Sequence, residues 1–110
     1  MQWQDHYTRR AKKDLVALRS VYKLQEIQQK YQMIKKGHKV LDLGCAPGSW
    51  LRYAARLTGE KGRVVGIDLK PVSGPFPEHT EIMIADVLAL DSESLQRDFN
   101  VVMSDMAPAT

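Results

Sequence analysis

The sequence predicts an α/β fold with a parallel, doubly wound sheet. From residue 39 onward, apolar segments of strand length alternate with helical or long loop segments, which is the order found in parallel α/β proteins. These strands are almost continuously apolar, as strands covered on both faces are. Each of four predicted strands has an aspartate at or near its carboxyl end: Asp42, Asp68, Asp86 and Asp105. Because open α/β sheets bind ligands outside these ends, the aspartates predict a ligand site.

The first 36 residues are predicted to be helical and basic. Residues 8–18 and 20–34 have helical patterns, with Ser20 as N-cap and Gly37 as C-cap of the second helix. Apolar residues recur in that second helix at spacings of three and four: Val21, Leu24, Ile27, Tyr31 and Ile34. The segment has nine basic and three acidic residues, a net charge of +6, whereas residues 37–110 have a net charge of −3.

This uneven charge favours a polyanionic partner such as RNA or DNA, although a solvated helix face has the same composition. We therefore predict two parts. Residues 1–36 form a basic helical N-terminal segment, and residues 37–110 form a ligand-binding α/β domain.

The remaining elements follow from local patterns. Strands are predicted at residues 40–43, 63–69, 81–86 and 99–105, and helices at 49–57 and 92–97. Residues 71–77 include three prolines, so this segment is predicted to be neither helix nor central strand, because proline has no N–H to donate.

Composition narrows the class of protein. The 110 residues suffice for one small domain. No apolar run approaches the ~20 residues of a membrane span, and the polar N-terminus does not resemble a signal peptide. The single cysteine, Cys45, excludes an internal disulfide and a cysteine cluster for zinc. We therefore expect a cytoplasmic protein with no membrane or metal partner, in which Cys45 fills space within a loop.

The loop after the first strand is the most informative segment. Residues 41–50 read LDLGCAPGSW, and Gly44 and Gly48 permit a sharp turn and close approach of the backbone to a ligand. The spacing lacks the Gly-x-Gly-x-x-Gly of dinucleotide sites and the Gly-Lys-Ser/Thr of P-loops. With both of these phosphate-binding patterns absent, the remaining candidate is a cofactor that has an adenosine part and no phosphate.

S-adenosylmethionine fits this description, because its ribose, adenine amino group, ammonium and sulfonium favour hydrogen-bond acceptors and negative charge. Asp68 is predicted to accept from the ribose hydroxyls and Asp86 to face the adenine amino group. Asp105 and the loop are predicted to face the cationic methionine end.

A family resemblance rests on two motifs, DLGCAPGSW at residues 42–50 and VMSDMAP at residues 102–108, together with Asp68 and Asp86. Residues 5–7, 11–13 and 19–27 extend it toward the N-terminus. The chain resembles the FtsJ/RrmJ-type ribosomal RNA ribose 2′-O-methyltransferases over about residues 5–110. The two motifs together are highly specific.

The resemblance implies a Rossmann-like S-adenosylmethionine-dependent methyltransferase, of which this chain is the N-terminal, cofactor-binding half. It implies methyl transfer to a ribose 2′-hydroxyl of large-subunit ribosomal RNA, free or within the ribosomal subunit. Together with the loop pattern, it predicts cofactor contacts at six residues: Gly44, Gly48, Trp50, Asp68, Asp86 and Asp105. Lys23 and Asp105 match the first Lys and the Asp of the family's catalytic Lys-Asp-Lys-Glu set. The second Lys and the Glu would lie beyond Thr110.

The family's sheet has seven strands, so we expect the 110-residue chain alone to bind S-adenosylmethionine weakly and to transfer little or no methyl. An exposed edge on the fourth strand would also favour self-association. Three origins of the 110-residue chain stay open: a fragment, a trimmed piece, or a naturally short chain that is held by a partner or by self-association.

Two other functions stay open at this point. A base or protein amino-methyltransferase usually has Asn/Asp-Pro-Pro-aromatic after the fourth strand, whereas residues 105–108 contain no aromatic ring. A non-catalytic RNA- or cofactor-binding module would use the basic segment alone. A NAD-dependent oxidoreductase is disfavoured by the loop spacing.

Overall fold

A computed structural model describes residues 3–91, 93 and 98–104 of the chain. In chain order the elements are α1 (Trp3–Tyr31), β1 (Lys39–Leu43), α2 (Ser49–Thr58), β2 (Arg63–Asp68), β3 (Thr80–Ile84), a 3₁₀ turn (Val87–Ala89) and β4 (Val101–Ser104). The strands and α2 lie within two residues of their predicted bounds. Residues 71–77 have no regular secondary structure, which confirms that prediction.

The four strands form one parallel sheet in the order β3-β2-β1-β4. Strands added after β1 go first to one side of it and then to the other, so the topological switch point lies between β1 and β4. At the carboxyl edge, Leu43 at the end of β1 is in register with Ile67 of β2 and Ser104 of β4. This edge is where a doubly wound sheet binds its ligand.

Both faces of the sheet are covered at β1 and β2, which explains their apolar residues, whereas Met83 and Ile84 of β3 and Val102 of β4 are exposed. On one face, α2 and parts of the preceding chain pack into a core of nine buried residues: Leu24, Ile34, Val40, Trp50, Leu51, Ala54, Ala55, Val64 and Met103. On the other face, Leu41, Val65 and Ile67 form a second buried cluster beneath partly buried side chains between residues 85 and 99. Leu24 and Ile34 belong to the predicted N-terminal segment, residues 1–36, and yet they share this core with residues of the predicted α/β domain. The division of the chain into these two parts stays a prediction.

The two helices predicted over residues 8–34 are one continuous helix, so the predicted break and N-cap at Ser20 are wrong. A single serine in a helix interior costs only a few tenths of a kcal/mol relative to alanine, about 0.5, and the surrounding residues continue the pattern. The structure uses the Ser20 carbonyl instead, as the acceptor of a hydrogen bond from the indole N–H of Trp50.

The predicted C-cap at Gly37 is also wrong. The helix ends at Tyr31, and Gln32 has a φ of 48°. The Gln28 side chain then donates to the Ile34 carbonyl (2.7 Å) and accepts from the Ile34 N–H (3.0 Å), which turns Ile34 into the core. The Gly37 N–H instead donates to the Thr58 carbonyl at the end of α2.

The helix predicted at 92–97 lies almost wholly outside the described residues. The 3₁₀ turn at Val87–Ala89 was not predicted, and the Asp86 side chain caps it. Within the described ranges, no helix combines the length and apolar character of a membrane span. The same residues contain no group of three His, Cys, Asp or Glu side chains arranged to hold a metal ion.

Candidate functional site

The glycine loop at the end of β1 folds back onto β2. The N–H groups of Gly44 and Cys45 both donate to the Ile67 carbonyl, at 2.7 and 3.2 Å. Gly44 and Gly48 have positive φ values, 69° and 108°, a conformation that glycine adopts without steric cost. Gly48 is the N-cap of α2 and its carbonyl accepts from the Arg52 N–H at 3.0 Å. The loop therefore places the start of α2 at the carboxyl edge of the sheet.

Asp68, the last residue of β2, is bonded directly to this loop. Its Oδ2 accepts from the Ala46 N–H and its Oδ1 from the Lys70 N–H, both at 2.9 Å. The side chain is only partly buried. Because each oxygen of an ionised carboxylate accepts about two hydrogen bonds, Asp68 holds the loop and keeps capacity for further donors.

Asp86 lies at the same edge, two residues beyond the end of β3. Its Oδ1 accepts from the Leu88 N–H at 3.0 Å and the residue is exposed. The backbone connects this position with Asp68, since the Ala85 N–H donates to the Asp68 carbonyl at 3.1 Å. The structure therefore brings two of the predicted aspartates to neighbouring strand ends.

Asp42 has a different environment. It is the fourth residue of β1, is 1% exposed, and pairs with Gly66 on one side and Met103 on the other. It lies inside the fold, below the edge where Asp68 and Asp86 are found.

Asp105, predicted for both the cofactor and the catalytic set, lies outside the described residues. The residue before it, Ser104, is in register with Leu43. The end of β4 therefore lies beside the start of the glycine loop, at the topological switch point.

Trp50 and Lys23 come together between α1 and α2. The Trp50 side chain is 7% exposed and belongs to the main core. Its Nε1–H donates to the Ser20 carbonyl at 2.7 Å, and the Lys23 Nζ lies 5.9 Å from the ring centroid, within the range of a cation–π interaction. These contacts join α1 to α2, and the predicted contact of Trp50 with a cofactor stays a prediction.

Cys45 occupies the interior of the loop, as the sequence predicts for a space-filling residue. A Cβ on Gly66 would lie 2.8 Å from the Cys45 Sγ, so the thiol fills the space beside that glycine. Burial, together with the nearby carboxylates of Asp42 and Asp68, raises the pKa of the thiol to about 11. Cys45 is therefore protonated at neutral pH and unsuited to nucleophilic chemistry.

Sequence reasoning missed the contacts of the crossover segment, residues 69–79, which joins β2 to β3. Its Val72 and Phe76 side chains pack against Gly48, where a Cβ would lie 3.0 Å from each. Arg52 of α2 donates to the Ser73 carbonyl at 2.8 Å and lies 4.5 Å from the Phe76 ring centroid. The prolines predicted only that the segment is neither helix nor central strand, and no local pattern indicates where such a segment packs.

A cavity of about 850 Å³ lies between α2 and the crossover segment. It is lined by Arg52, Arg56, Pro75, Pro77 and His79, among others, and by none of the predicted site residues that the structure describes.

Comparisons with known proteins identify the family of the chain. The family model of the FtsJ-like methyltransferases matches residues 16–110. The "Ribosomal RNA large subunit methyltransferase E" of Desulforapulum autotrophicum is 54% identical over 112 residues, covering 99% of this chain and 55% of the relative. The protein of the same name from Desulfatibacillum aliphaticivorans is 50% identical, with 98% and 54% covered. The chain thus spans about half the length of these curated relatives.

Solved structures show the same fold. A protein described as a ribosomal RNA methyltransferase from Plasmodium falciparum superposes with a TM-score of 0.67 at 26% identity, covering 84% of this chain and 57% of that one. A cyclopropane-fatty-acyl-phospholipid synthase-like protein from Lactobacillus casei shares the fold, with a TM-score of 0.58 at 22% identity over 82% of this chain and 39% of that one.

The family-model match spans most of the chain, including the glycine loop and the ends of all four strands. The predicted Rossmann-like methyltransferase fold is confirmed, and the chain belongs to the FtsJ-like methyltransferase family.

Proposed function

We propose that the protein is an S-adenosylmethionine-dependent methyltransferase that methylates a ribose 2′-hydroxyl of large-subunit ribosomal RNA. Family membership and the names of the relatives support methyl transfer to ribosomal RNA. A ribosomal RNA substrate also agrees with a cytoplasmic location.

The observation that carries the cofactor proposal is the bond between Asp68 and the glycine loop. Asp68 Oδ2 accepts from the Ala46 N–H, so a carboxylate is held directly against the turn that leads into α2. Such a carboxylate repels a pyrophosphate and favours hydroxyl, amino and cationic groups. The residues of this edge therefore fit a phosphate-free adenosine cofactor.

Each part of S-adenosylmethionine has a candidate partner at this edge. Asp68 would accept from the ribose hydroxyls, Asp86 would face the adenine amino group, and Gly44 to Gly48 with Asp105 would hold the methionine end. Trp50 completes the predicted set from the first turn of α2. When bound there, the cofactor supplies a methyl group on a sulfonium, which is strongly electrophilic.

Lys23 is the candidate group for the receiving hydroxyl. A ribose hydroxyl is a weak nucleophile and must lose its proton during attack, so a nearby group has to accept that proton or stabilise the negative charge. Lys23 is exposed on α1, and its ammonium lies over the Trp50 ring two residues after Gly48. With Asp105, it would orient the 2′-oxygen in line with the methyl group, and such positioning supplies much of the rate in reactions of this kind.

The exposed basic residues support an RNA partner. On α1 and the turn that follows it, several lysines and arginines are exposed: Lys12, Arg19, Lys23, Lys30, Lys35 and Lys36. Charges of this kind supply the sequence-independent part of nucleic-acid binding.

The test has a binding arm and a transfer arm. Calorimetry of the chain with S-adenosylmethionine, with NAD⁺ as control, measures cofactor choice. Transfer of labelled methyl to large-subunit ribosomal RNA is assayed with the chain alone and with a completed chain, in which it is joined to the remaining half of the Desulforapulum autotrophicum relative.

The RNA product is digested to nucleosides and analysed by mass spectrometry. We expect binding of S-adenosylmethionine but not NAD⁺, little transfer by the chain alone, and a 2′-O-methyl nucleoside from the completed chain. A methyl group on a base nitrogen or on protein would instead indicate an amino-methyltransferase. RNA binding that is independent of the cofactor, without transfer by either form, would indicate a non-catalytic module.

A further inference from the structure

Two side chains attach the crossover segment to α2: His79, whose Nε2 lies 2.8 Å from the Ala55 carbonyl, and the exposed Arg52 in the first turn of the helix. Arg52 Nη2 donates to the Ser73 carbonyl at 2.8 Å, and its guanidinium lies 4.5 Å from the centre of the Phe76 ring. A planar guanidinium can stack on an aromatic ring and donate in its own plane at the same time, which an ammonium cannot do. Arg52 therefore contacts the segment at two points three residues apart.

The composition of the segment makes these side-chain contacts important. Pro71, Pro75 and Pro77 have no N–H group, so three of the seven residues 71–77 cannot donate to the backbone pairing that would attach the segment to a strand or helix. Residues 71–77 are outside regular secondary structure. The position of the segment over α2 then depends on how its side chains pack.

The residue before this segment and two residues within it contact the glycine loop. Asp68, immediately before it, accepts from the Ala46 N–H, and Phe76 near its far end packs against Gly48 together with Val72. Ala46 and Gly48 are the middle and the end of the loop. The crossover segment therefore packs against the end of the loop, and Arg52 contacts the segment at Ser73 and Phe76.

We propose that Arg52 and Phe76 are positioning residues that hold the glycine loop in its cofactor-binding conformation. This inference rests on the proposed function. Neither residue is assigned a contact with the cofactor or the RNA. Their stacked pair keeps Val72 and the Phe76 ring against Gly48, so the loop conformation is populated before the cofactor arrives. A site that is only partly populated in its competent form binds its ligand more weakly, in proportion to that population.

The test compares Arg52→Leu with Arg56→Leu in the 110-residue chain. Arg56 is a matched control, because it is an exposed arginine one turn later on α2 and lines the same cavity. Hydrogen exchange of the Ala46 and Lys70 amides, which both donate to Asp68, is measured without cofactor. The dissociation constant for S-adenosylmethionine is measured separately.

We expect Arg52→Leu to speed exchange of these two amides and to raise the dissociation constant about fivefold to tenfold. Arg56→Leu should change neither. Phe76→Leu should behave like Arg52→Leu, whereas Phe76→Tyr keeps the ring and should retain wild-type behaviour. Circular dichroism and the melting temperature establish that each variant is folded.

The outcomes separate the two proposals. Unchanged exchange in Arg52→Leu, or faster exchange with unchanged affinity, overturns the positioning inference. The same holds if Arg56→Leu has an equal effect, because the loss of a charge on α2 would then explain both. Failure of the wild-type chain to bind S-adenosylmethionine contradicts the proposed function, while faster exchange in Arg52→Leu would still support a role in holding the loop.

Discussion

The indole N–H of Trp50 donates a hydrogen bond of 2.7 Å to the main-chain carbonyl of Ser20, thirty residues earlier in the chain. This bond joins the first turn of α2 to the middle of α1. It also sets the position of Lys23, one turn further along α1, whose Nζ lies 5.9 Å from the centre of the same ring. Trp50 thus connects the glycine loop to the helix that carries the candidate catalytic lysine.

Replacement of Trp50 by phenylalanine should weaken this connection. Phenylalanine keeps an aromatic ring in the core but cannot donate to Ser20, so we expect the free energy of unfolding to fall by about 1–3 kcal/mol, from the lost hydrogen bond and a small cavity. Urea denaturation followed by circular dichroism measures the change. Tyr22→Phe, on an exposed side chain of α1, is the control and should leave stability unchanged. Equal stability of Trp50→Phe and wild type would contradict the proposed role of the bond.

Lys23→Ala should reduce methyl transfer by the completed chain about 100-fold or more, as removal of a group that assists proton transfer does. Lys30→Ala is a matched control, because Lys30 is also an exposed α1 lysine lying over an aromatic ring, 5.3 Å from the centre of Tyr31. It should lower affinity for RNA slightly and leave the single-turnover rate at saturating RNA unchanged. Undiminished transfer by Lys23→Ala would remove Lys23 from the mechanism.

Asp68→Asn and Asp86→Asn distinguish a residue that builds the loop from one that only faces the ligand. Both should raise the dissociation constant for S-adenosylmethionine by about 10-fold to 100-fold, since a hydrogen bond to a charged group contributes about 1.5–3 kcal/mol. Only Asp68→Asn should also speed exchange of the Ala46 amide, because only Asp68 accepts from it. If Asp86→Asn disturbs that amide equally, the loop is not held through Asp68.

Gly48→Ala should destabilise the fold more than Gly37→Ala. Both glycines have positive φ, 108° and 83°, but a Cβ on Gly37 meets nothing within 4 Å, whereas one on Gly48 lies 3.0 Å from Phe76 and from Val72. We expect about 1–2 kcal/mol for the backbone strain at Gly37 and a further ~1 kcal/mol or more at Gly48 from overpacking. Chemical denaturation of both variants gives the difference directly. Equal losses of unfolding free energy would show that Val72 and Phe76 move away from the added Cβ without a cost in stability.

The buried thiol predicts a pH dependence with a defined sign. In the folded protein burial raises the pKa of Cys45 from 9.0 to about 11, so folding disfavours the thiolate. Below pH 9 the thiol is protonated in both the folded and the unfolded chain, so its contribution to stability is fully present. Above pH 9 the unfolded chain ionises first, and this contribution is lost as pH rises through 11. The free energy of unfolding of wild type minus that of Cys45→Ala should therefore fall by up to about 2 kcal/mol between pH 9 and 11. At pH 8, modification by a maleimide should require unfolding, and rapid labelling of the folded chain would contradict this.

The strands, the helix after the glycine loop and the edge where Asp68 and Asp86 meet were all predicted from the sequence. These features depend on local information. Apolar runs of strand length, glycines at a turn and a helical pattern after it are each contained within about ten residues, and parallel strands bring their carboxyl ends to one edge of the sheet. The family resemblance rests on the same short motifs, and the comparisons confirm it.

The tertiary structure decided what each of these pieces contacts. Ser20 is an acceptor within one long helix because Trp50, thirty residues away, reaches its carbonyl. Arg52 contacts the crossover segment because the path of that segment between β2 and β3 brings Ser73 and Phe76 beside α2. Neither relationship leaves a local pattern, since both depend on the distance between elements after packing. The candidate residues for the chemistry could therefore be predicted from motifs, whereas the contacts that hold them in position are visible only in the folded chain.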